Sequence, residues 1–259
     1  MSGRRDGVLV VGPSAPAIGG IATYVDTMRG QIATELLVVN SVRGTGRKLG
    51  RFFRTLTGIA RLRGRCRVLH LHSSHGTSFY EKVALLAAGR AMGYRTVLHM
   101  HGSNFEETVA HAPAPWLVRA GLESADVVIA LSTHWTRVIQ GAAPRARVMK
   151  LENVVQVPAA PCPARGSHDV LLLAGLEDRK GVPDAIHAFA AISARFPAAR
   201  LVLAGPVAPH DGERYRELAR TLGVADRVVF TGSVEGEAKA ALLSGCGVFI
   251  LPSYAEGLP

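Results

Sequence analysis

The sequence predicts an α/β protein built from two doubly wound, parallel-sheet units. Three observations carry that prediction. Short runs rich in Val, Ile and Leu alternate with longer amphipathic stretches, the βαβ rhythm of a parallel sheet covered on both faces. Residues 154–168 break the rhythm with three prolines and a glycine, which is a linker composition. The rhythm then restarts.

Taken in order, strands are expected at 7–12, 36–40, 68–73, 96–102, 126–132 and 148–153, with helices such as 20–33, 79–92 and 134–140 between them. After the linker come strand 170–175, helix 182–195, strand 201–205, helix 212–222, strand 228–232, helix 235–244 and strand 247–251. The last strand is an unbroken apolar run and reads as buried. The expected domains are therefore 1–153 and 169–259, the second reading as incomplete because no covering helix follows its fourth strand.

Composition narrows the class. An apolar content of 48% over 259 residues describes a globular chain with a sizeable core, not a disordered one. The charge-free stretch at residues 240–255 contains Gly and Pro and is too short to span a bilayer. The run Val8–Val11 is too short for a signal-peptide core and reads as a first strand. Three scattered cysteines, Cys66, Cys162 and Cys246, fit a reducing cytoplasm and no metal cage.

Charge is divided unevenly. Residues 1–160 hold 20 Lys/Arg against 9 Asp/Glu, while residues 161–259 hold 10 against 11. The first half is thus the one suited to an anionic partner. Nine of its basic residues lie in 43–67, among them Arg47, Lys48, Arg51 and Arg54, with no acidic residue between. Leu49, Phe52, Phe53, Leu56 and Ile59 fall there at helical spacing. A basic helix with a Phe-containing stripe suits an anionic bilayer; it also suits a core-facing helix with a solvated side. No nucleic-acid motif accompanies the charge, so nucleic acid is not expected as a partner.

Three turns are candidates for chemistry. Gly19 and Gly20 follow the first strand and open a helix, where backbone can approach a phosphate. A plain strand-to-helix turn is the alternative. His70, His72 and His75, with His99 and His101, crowd two strand ends. The first three have the spacing of a metallohydrolase His-x-His-x-Asp-His motif, but Ser74 replaces its aspartate; polar residues at a sheet's mouth are the alternative. Arg179 and Lys180, in the turn after strand 170–175, place two cations where a diphosphate can be met.

The ordered series of these pieces resembles family-4 glycosyltransferases of the GT-B fold, of the bacterial polysaccharide-assembly type. The matching residues are Gly19-Gly20, His99-Met100-His101-Gly102, the 124–132 run ending in Ser132, Glu152-Asn153, Asp178-Arg179-Lys180-Gly181, the 201–205 strand and the 251–259 terminus. The resemblance implies two Rossmann-like domains and a retaining transfer from a nucleotide-diphosphate sugar that needs no metal or other cofactor. It makes His101 the active-site histidine, with His99, Gly102, Asn153 and Ser132 nearby. It makes Lys180 the donor-diphosphate lysine, Gly19 and Gly20 liners near a phosphate, and Glu256 the first glutamate of a Glu-x7-Glu pair. A polyprenyl-diphosphate-linked glycan is the implied acceptor, at the inner face of the plasma membrane. Two departures stand out. Gly175 occupies the place of an arginine, for which Arg179 would substitute, and the sequence stops before the second glutamate, so the chain alone is expected to be inactive.

Overall fold

The computed structural model describes residues 7–13, 20–31, 36–40, 48–74, 76–154 and 167–257. They form two compact units, one holding the residues up to 154 together with 256 and 257, the other holding 167–255. The expectations at Gly19, Arg47 and His75, and linker residues 155–166, lie outside the described residues.

In the first unit β1 (Gly7–Gly12), β2 (Leu36–Asn40), β3 (Cys66–Ser73), β4 (Arg95–Met100), β5 (Val127–Ala130) and β6 (Val148–Lys150) make one sheet ordered β2-β1-β3-β4-β5-β6. Every pairing is parallel. Helices α1 (Gly20–Gln31), α2 (Lys48–Leu62), α3 (Thr77–Ala91), α4 (Phe105–Ala110), α5 (Pro115–Ser124) and α6 (Thr133–Ala142) connect the strands. Leu9, Leu69, Leu71, Leu98 and Val128 from the strands pack against Ile59, Phe79, Leu86, Leu122 and Ile139 from the helices, all fully buried. Each such side chain contributes about 1.5–3 kcal/mol of burial free energy. Helix α3 lies so close to β3 that a Cβ at Gly89 would stand 2.2 Å from Leu69 Cδ2, so a larger residue there would force the Leu69 side chain to move.

The strand order fixes where a ligand can sit. From β1 the chain places β2 on one side and β3 on the other, so the carboxyl ends of β1 and β3 flank a topological switch point. In open α/β sheets the ligand crevice lies there.

The second unit repeats the plan with β7 (Val170–Leu173), β8 (Leu201–Ala204), β9 (Val228–Gly232) and β10 (Val248–Phe249), ordered β10-β7-β8-β9 and again parallel. Its helices are α7 (Val182–Ser193), α8 (Pro209–Thr221) and α9 (Gly236–Gly245). Leu172, Ile186, Phe189, Leu201, Leu203 and Tyr215 form its core. Its switch point lies between β7 and β10.

The structure departs from the sequence expectations in three places. The 247–251 strand, expected to be buried, narrows to Val248 and Phe249, which are 54% and 48% exposed. Among the described residues it is an edge strand with one partner, and an apolar run cannot tell an edge from a centre. Helices α4 and α5 had no sequence reading: six residues are too few to show a period, and Pro115 opens α5 at a position that looks like a break. Glu256 and Gly257 group with the first unit, not with residues 169–255. Among the described residues no helix is long and apolar enough to cross a membrane.

Candidate functional site

His70 and His72 on β3, His99 on β4 and His101 just after it project to one face of the first sheet. Alternate strand residues share a side, and His72 lies opposite His99 in the parallel register. The rings stack, with centroids 4.4 Å apart for His70 and His72 and 4.1 Å apart for His99 and His101. His70 Nε2 lies 3.2 Å from His99 Nδ1, and His72 Nδ1 lies 2.8 Å from His101 Nε2. Two hydrogen-bonded imidazole pairs result. Gly12 makes room for them, since a Cβ there would come 3.1 Å from His72 Cβ. Tyr24 of α1 covers the group, its ring centroid 5.1 Å from that of His99.

Burial decides the charge of this cluster. Loss of hydration pushes His70 down to about 4 and His101 to about 3, neighbouring histidine charge adding to the second. The same desolvation, helped by the other imidazoles, drives His72 and His99 well below the usual range. All four rings are neutral at pH 7, each able to donate once and accept once. His99 Nε2 and the Tyr24 hydroxyl are buried without a hydrogen-bond partner among the described residues. Each such group costs about 1–3 kcal/mol, so polarity is kept here against stability.

His70, His72 and His99 bring ligand atoms within 4.8 Å of one another. Among the described residues, His99 is the third member of this group; His75 lies outside them. A metal here would have to break the His70–His99 hydrogen bond.

The other expected residues of this unit divide. Gly102 is buried beyond β4, and Gly20 opens α1 with nothing within 4 Å of where a Cβ would stand. Asn153 has a buried Oδ1 with no partner among the described residues. Ser132 acts locally, since its Oγ accepts from the Trp135 amide at 3.3 Å and caps α6. Gly257 accepts a hydrogen bond from Trp135 Nε1 at 3.0 Å, and a Cβ on it would stand 2.8 Å from the His101 carbonyl oxygen. Gly257, next to Glu256 in the chain, thus lies against the backbone of His101.

Helix α2 splits its phenylalanines. Phe52 packs against the core with Leu56, while Phe53 is 54% exposed and Leu49 66% exposed. Lys48 and Arg54 lie on the exposed side, and Arg51 is half-buried. One helix therefore serves the core and also shows solvent an apolar ridge set among cations.

In the second unit the turn after β7 is a short 3-10 segment, Asp178–Lys180, closed by Gly181 at φ 71°. A Cβ on Gly181 would stand 2.2 Å from the Pro252 carbonyl oxygen. The left-handed backbone and the close approach each require glycine. The Tyr254 amide donates to the Arg179 carbonyl at 2.9 Å, and its hydroxyl donates to Asp184 Oδ2 at 2.8 Å. The turn and the 252–254 loop are thereby locked together across the switch point. Asp178, which sequence reading treated only as part of a motif, is a pin: its Oδ1 accepts from Arg214 at 2.6 Å and from the Tyr215 hydroxyl at 2.9 Å. The Arg214 bond leads in holding its carboxyl below the usual range. Arg179 is exposed and gives its Nε to Glu177 at 2.7 Å, while Lys180 is half-buried.

Two parallel-sheet units, each with polar groups gathered at a carboxyl-end switch point, define the class: the chain has the GT-B glycosyltransferase fold. Solved structures share it. HepE of Anabaena, in complex with UDP and glucose, has a TM-score of 0.66 at 15% identity over 95% of this chain and 74% of that one. WaaG, a glycosyltransferase involved in lipopolysaccharide biosynthesis, has a TM-score of 0.67 at 14% identity over 96% of this chain and 76% of that one. Residues 164–259 match the model of the family glycosyl transferases group 1. The chain is also similar, over 93 residues at 36% identity, to the serotype-specific mannosyltransferase WbdA of Escherichia coli. The match covers 34% of this chain and only 11% of the relative's length.

Proposed function

We propose that the chain transfers a sugar from a nucleotide-diphosphate donor to a membrane-linked glycan during polysaccharide assembly. One observation carries the reading most: the family match over 164–259 covers the switch point where the 178–181 turn is locked to the 252–254 loop. HepE's complex with UDP and the mannosyltransferase name of WbdA support a nucleotide-sugar donor and a hexosyl group.

In this reading Lys180, helped by Arg179, meets the donor diphosphate, and its charge stabilises the negative charge that grows as the nucleotide leaves. The transfer retains anomeric configuration without a metal. His101 is neutral at pH 7 and can hold a hydroxyl of the reacting sugar by hydrogen bonding. Glu256 contacts the donor sugar. Gly19, Gly20, His99, Gly102, Ser132 and Asn153 line the surroundings. The basic segment at 47–54, through Arg47, Lys48, Arg51, Phe52, Phe53 and Arg54, rests on an anionic bilayer at the cytoplasmic face and presents the polyprenyl-diphosphate-linked acceptor.

The test is release of UDP or GDP from nucleotide sugars in the presence of a polyprenyl-diphosphate-linked saccharide. Release dependent on both substrates is expected where the donor site carries both glutamates of the Glu-x7-Glu pair, with His101→Ala lowering it roughly 100-fold. Nucleotide release that ignores the acceptor, or that survives His101→Ala unchanged, would contradict the assignment.

A further inference from the structure

The four imidazoles of the first unit do not satisfy one another. Each neutral ring brings one N–H and one lone pair. Among the described residues the side-chain hydrogen bonds that reach them are the two within the group, His70 with His99 and His72 with His101. His99 is 0% exposed, and its Nε2 has no partner there. The hydroxyl of Tyr24, a residue 3% exposed, has none either, and its ring packs against those of His72, His99 and His101. Unpaired buried groups in folded proteins go with strain, catalysis, water or a bound ion.

The arrangement has what an ion needs. His70, His72 and His99 each bring one ring nitrogen within 4.8 Å of the others. Zinc–imidazole bonds of about 2.0–2.1 Å at tetrahedral angles set ligand nitrogens about 3.3 Å apart. His70 Nε2 already stands 3.2 Å from His99 Nδ1. Three imidazoles without a carboxylate suit zinc, copper, iron or nickel, whereas magnesium and calcium take oxygen. The ligands also sit on paired backbone, with His72 opposite His99 in the β3–β4 register, and strands hold such a group more precisely than loops do.

An outer shell and an entry path are present too. His72 turns Nδ1 toward His101 Nε2 at 2.8 Å, so its Nε2 is the nitrogen left for an ion. A metal-bound imidazole ordinarily gives its other N–H to a fixed acceptor, which sets its tautomer and orientation. His72, with Ser74, Glu81 and Lys82, lines a cavity of about 480 Å³ that leads to the group. Lys82, whose charge reaches His72, is itself paired with Glu81 at 2.9 Å.

We propose that His70, His72 and His99 form a binding site for a zinc-class transition-metal ion, with water in the fourth position and His101 as the acceptor behind His72. No proton is lost from the rings. The proton shared between His70 Nε2 and His99 Nδ1 moves to the far nitrogen of its own ring, and two metal bonds replace one hydrogen bond. The ion takes no chemical part in sugar transfer, and its binding rests on the histidines alone. One consequence rests on the glycosyl-transfer reading above. His72 Nδ1–H then donates to His101 Nε2, so the histidine assigned to the reacting sugar is fixed in its Nδ1–H tautomer.

The experiment uses the full chain without an affinity tag, freed of metal by a chelator and titrated with cobalt(II), then with zinc(II). Cobalt is expected to give visible ligand-field bands of four-coordinate intensity, saturating at one ion per chain, and zinc to bleach them. His70→Gln and His99→Gln should each weaken zinc about tenfold or more in competition with a chromophoric chelator, and His101→Ala about 10–100-fold as the lost outer-shell partner. His75→Ala and His134→Ala should leave the affinity unchanged. Circular-dichroism melts check the folding of each variant, and the cobalt spectrum of the unaltered chain needs no variant. Nitrogen-15 shifts of the zinc-loaded chain should report His101 protonated at Nδ1; protonation at Nε2 would remove the link to His101. Absence of the cobalt bands, equal binding of magnesium, or zinc affinity that falls with His75→Ala and survives His99→Gln would overturn the site. No readout here uses a nucleotide or an acceptor, so failure of the metal site leaves the transfer reading standing.

Discussion

The two units solve one problem, keeping polar groups at the end of a parallel sheet, by opposite means. The first buries ionisable rings: four imidazoles stack beneath Tyr24, stripped of water and uncharged. The second leaves its charges at the surface and relies on backbone. Gly181 and Pro252 touch where no side chain fits, Asp178 is pinned by Arg214 and Tyr215, and Tyr254 ties the loop to the turn. The lesson is that the first site is sensitive to protons and the second to shape.

The largest expected effect breaks that symmetry by acid. The histidines have folded-state values depressed below 6.5, to about 4 for His70 and about 3 for His101. Their stabilisation is complete above the unfolded value and is lost as pH falls from 6.5 toward those folded values, because the unfolded chain takes up protons that the native cluster refuses. At pH 5 each of these two costs about 2 kcal/mol. Asp178 is depressed from 3.8, so its contribution holds until the pH falls below that value. Between pH 7 and pH 5, hydrogen-exchange protection factors, which remove the intrinsic slowing of amide exchange with falling pH, should therefore drop in β3 and β4 and stay constant in β7 and β8. An equal drop in both units would contradict the contrast.

Shape comes next. Gly181→Ala puts a methyl against the Pro252 carbonyl at a positive φ, and about 3 kcal/mol or more of second-unit stability should be lost. Gly20→Ala, where a Cβ meets nothing within 4 Å, should leave the melting temperature unchanged. Circular-dichroism melts of the two variants decide this, and similar shifts would remove the argument from close approach.

How much of this was legible in the sequence follows from the same contrast. The alternation of apolar runs and helical stretches located most strand cores, because parallel strands covered on both faces read as nearly continuous Val/Ile/Leu. His-x-His on two strand ends announced that the rings share a face. It did not announce that β3 and β4 are neighbours, so the pairing of His72 with His101 was invisible. Lys82 stands in the sequence as a cation on the apolar stripe with Phe79 and Leu86, and only the fold shows that it is buried. Gly181 appeared only as a motif member; its need for a positive φ and for contact with Pro252, 71 residues later in the chain, exists only in the fold. Val248 and Phe249 were misread as buried because sequence gives a strand's composition and not its place in the sheet order.

A smaller effect sharpens the first unit alone. Phe52→Ala should cost about 2–3 kcal/mol, since the ring packs on the core. Phe53→Ala should change stability by less than about 0.5 kcal/mol. It should nonetheless weaken binding to vesicles rich in anionic lipid, read by sedimentation, whereas unchanged vesicle binding would remove α2 as the membrane-facing element. The smallest effect concerns the second unit. Tyr215→Phe removes one hydrogen bond to Asp178 and should cost about 1 kcal/mol in a denaturant melt; no cost would mean the pin is Arg214 alone.

The central claim is that the second unit's locked turn holds a nucleotide diphosphate. Calorimetric titration of the chain with UDP and GDP tests it most directly. Saturable binding of one of them is expected, lost by tenfold or more in both Lys180→Ala and Gly181→Ala and preserved in Lys82→Met. Binding of neither nucleotide, or binding indifferent to the turn and dependent on Lys82, would contradict it.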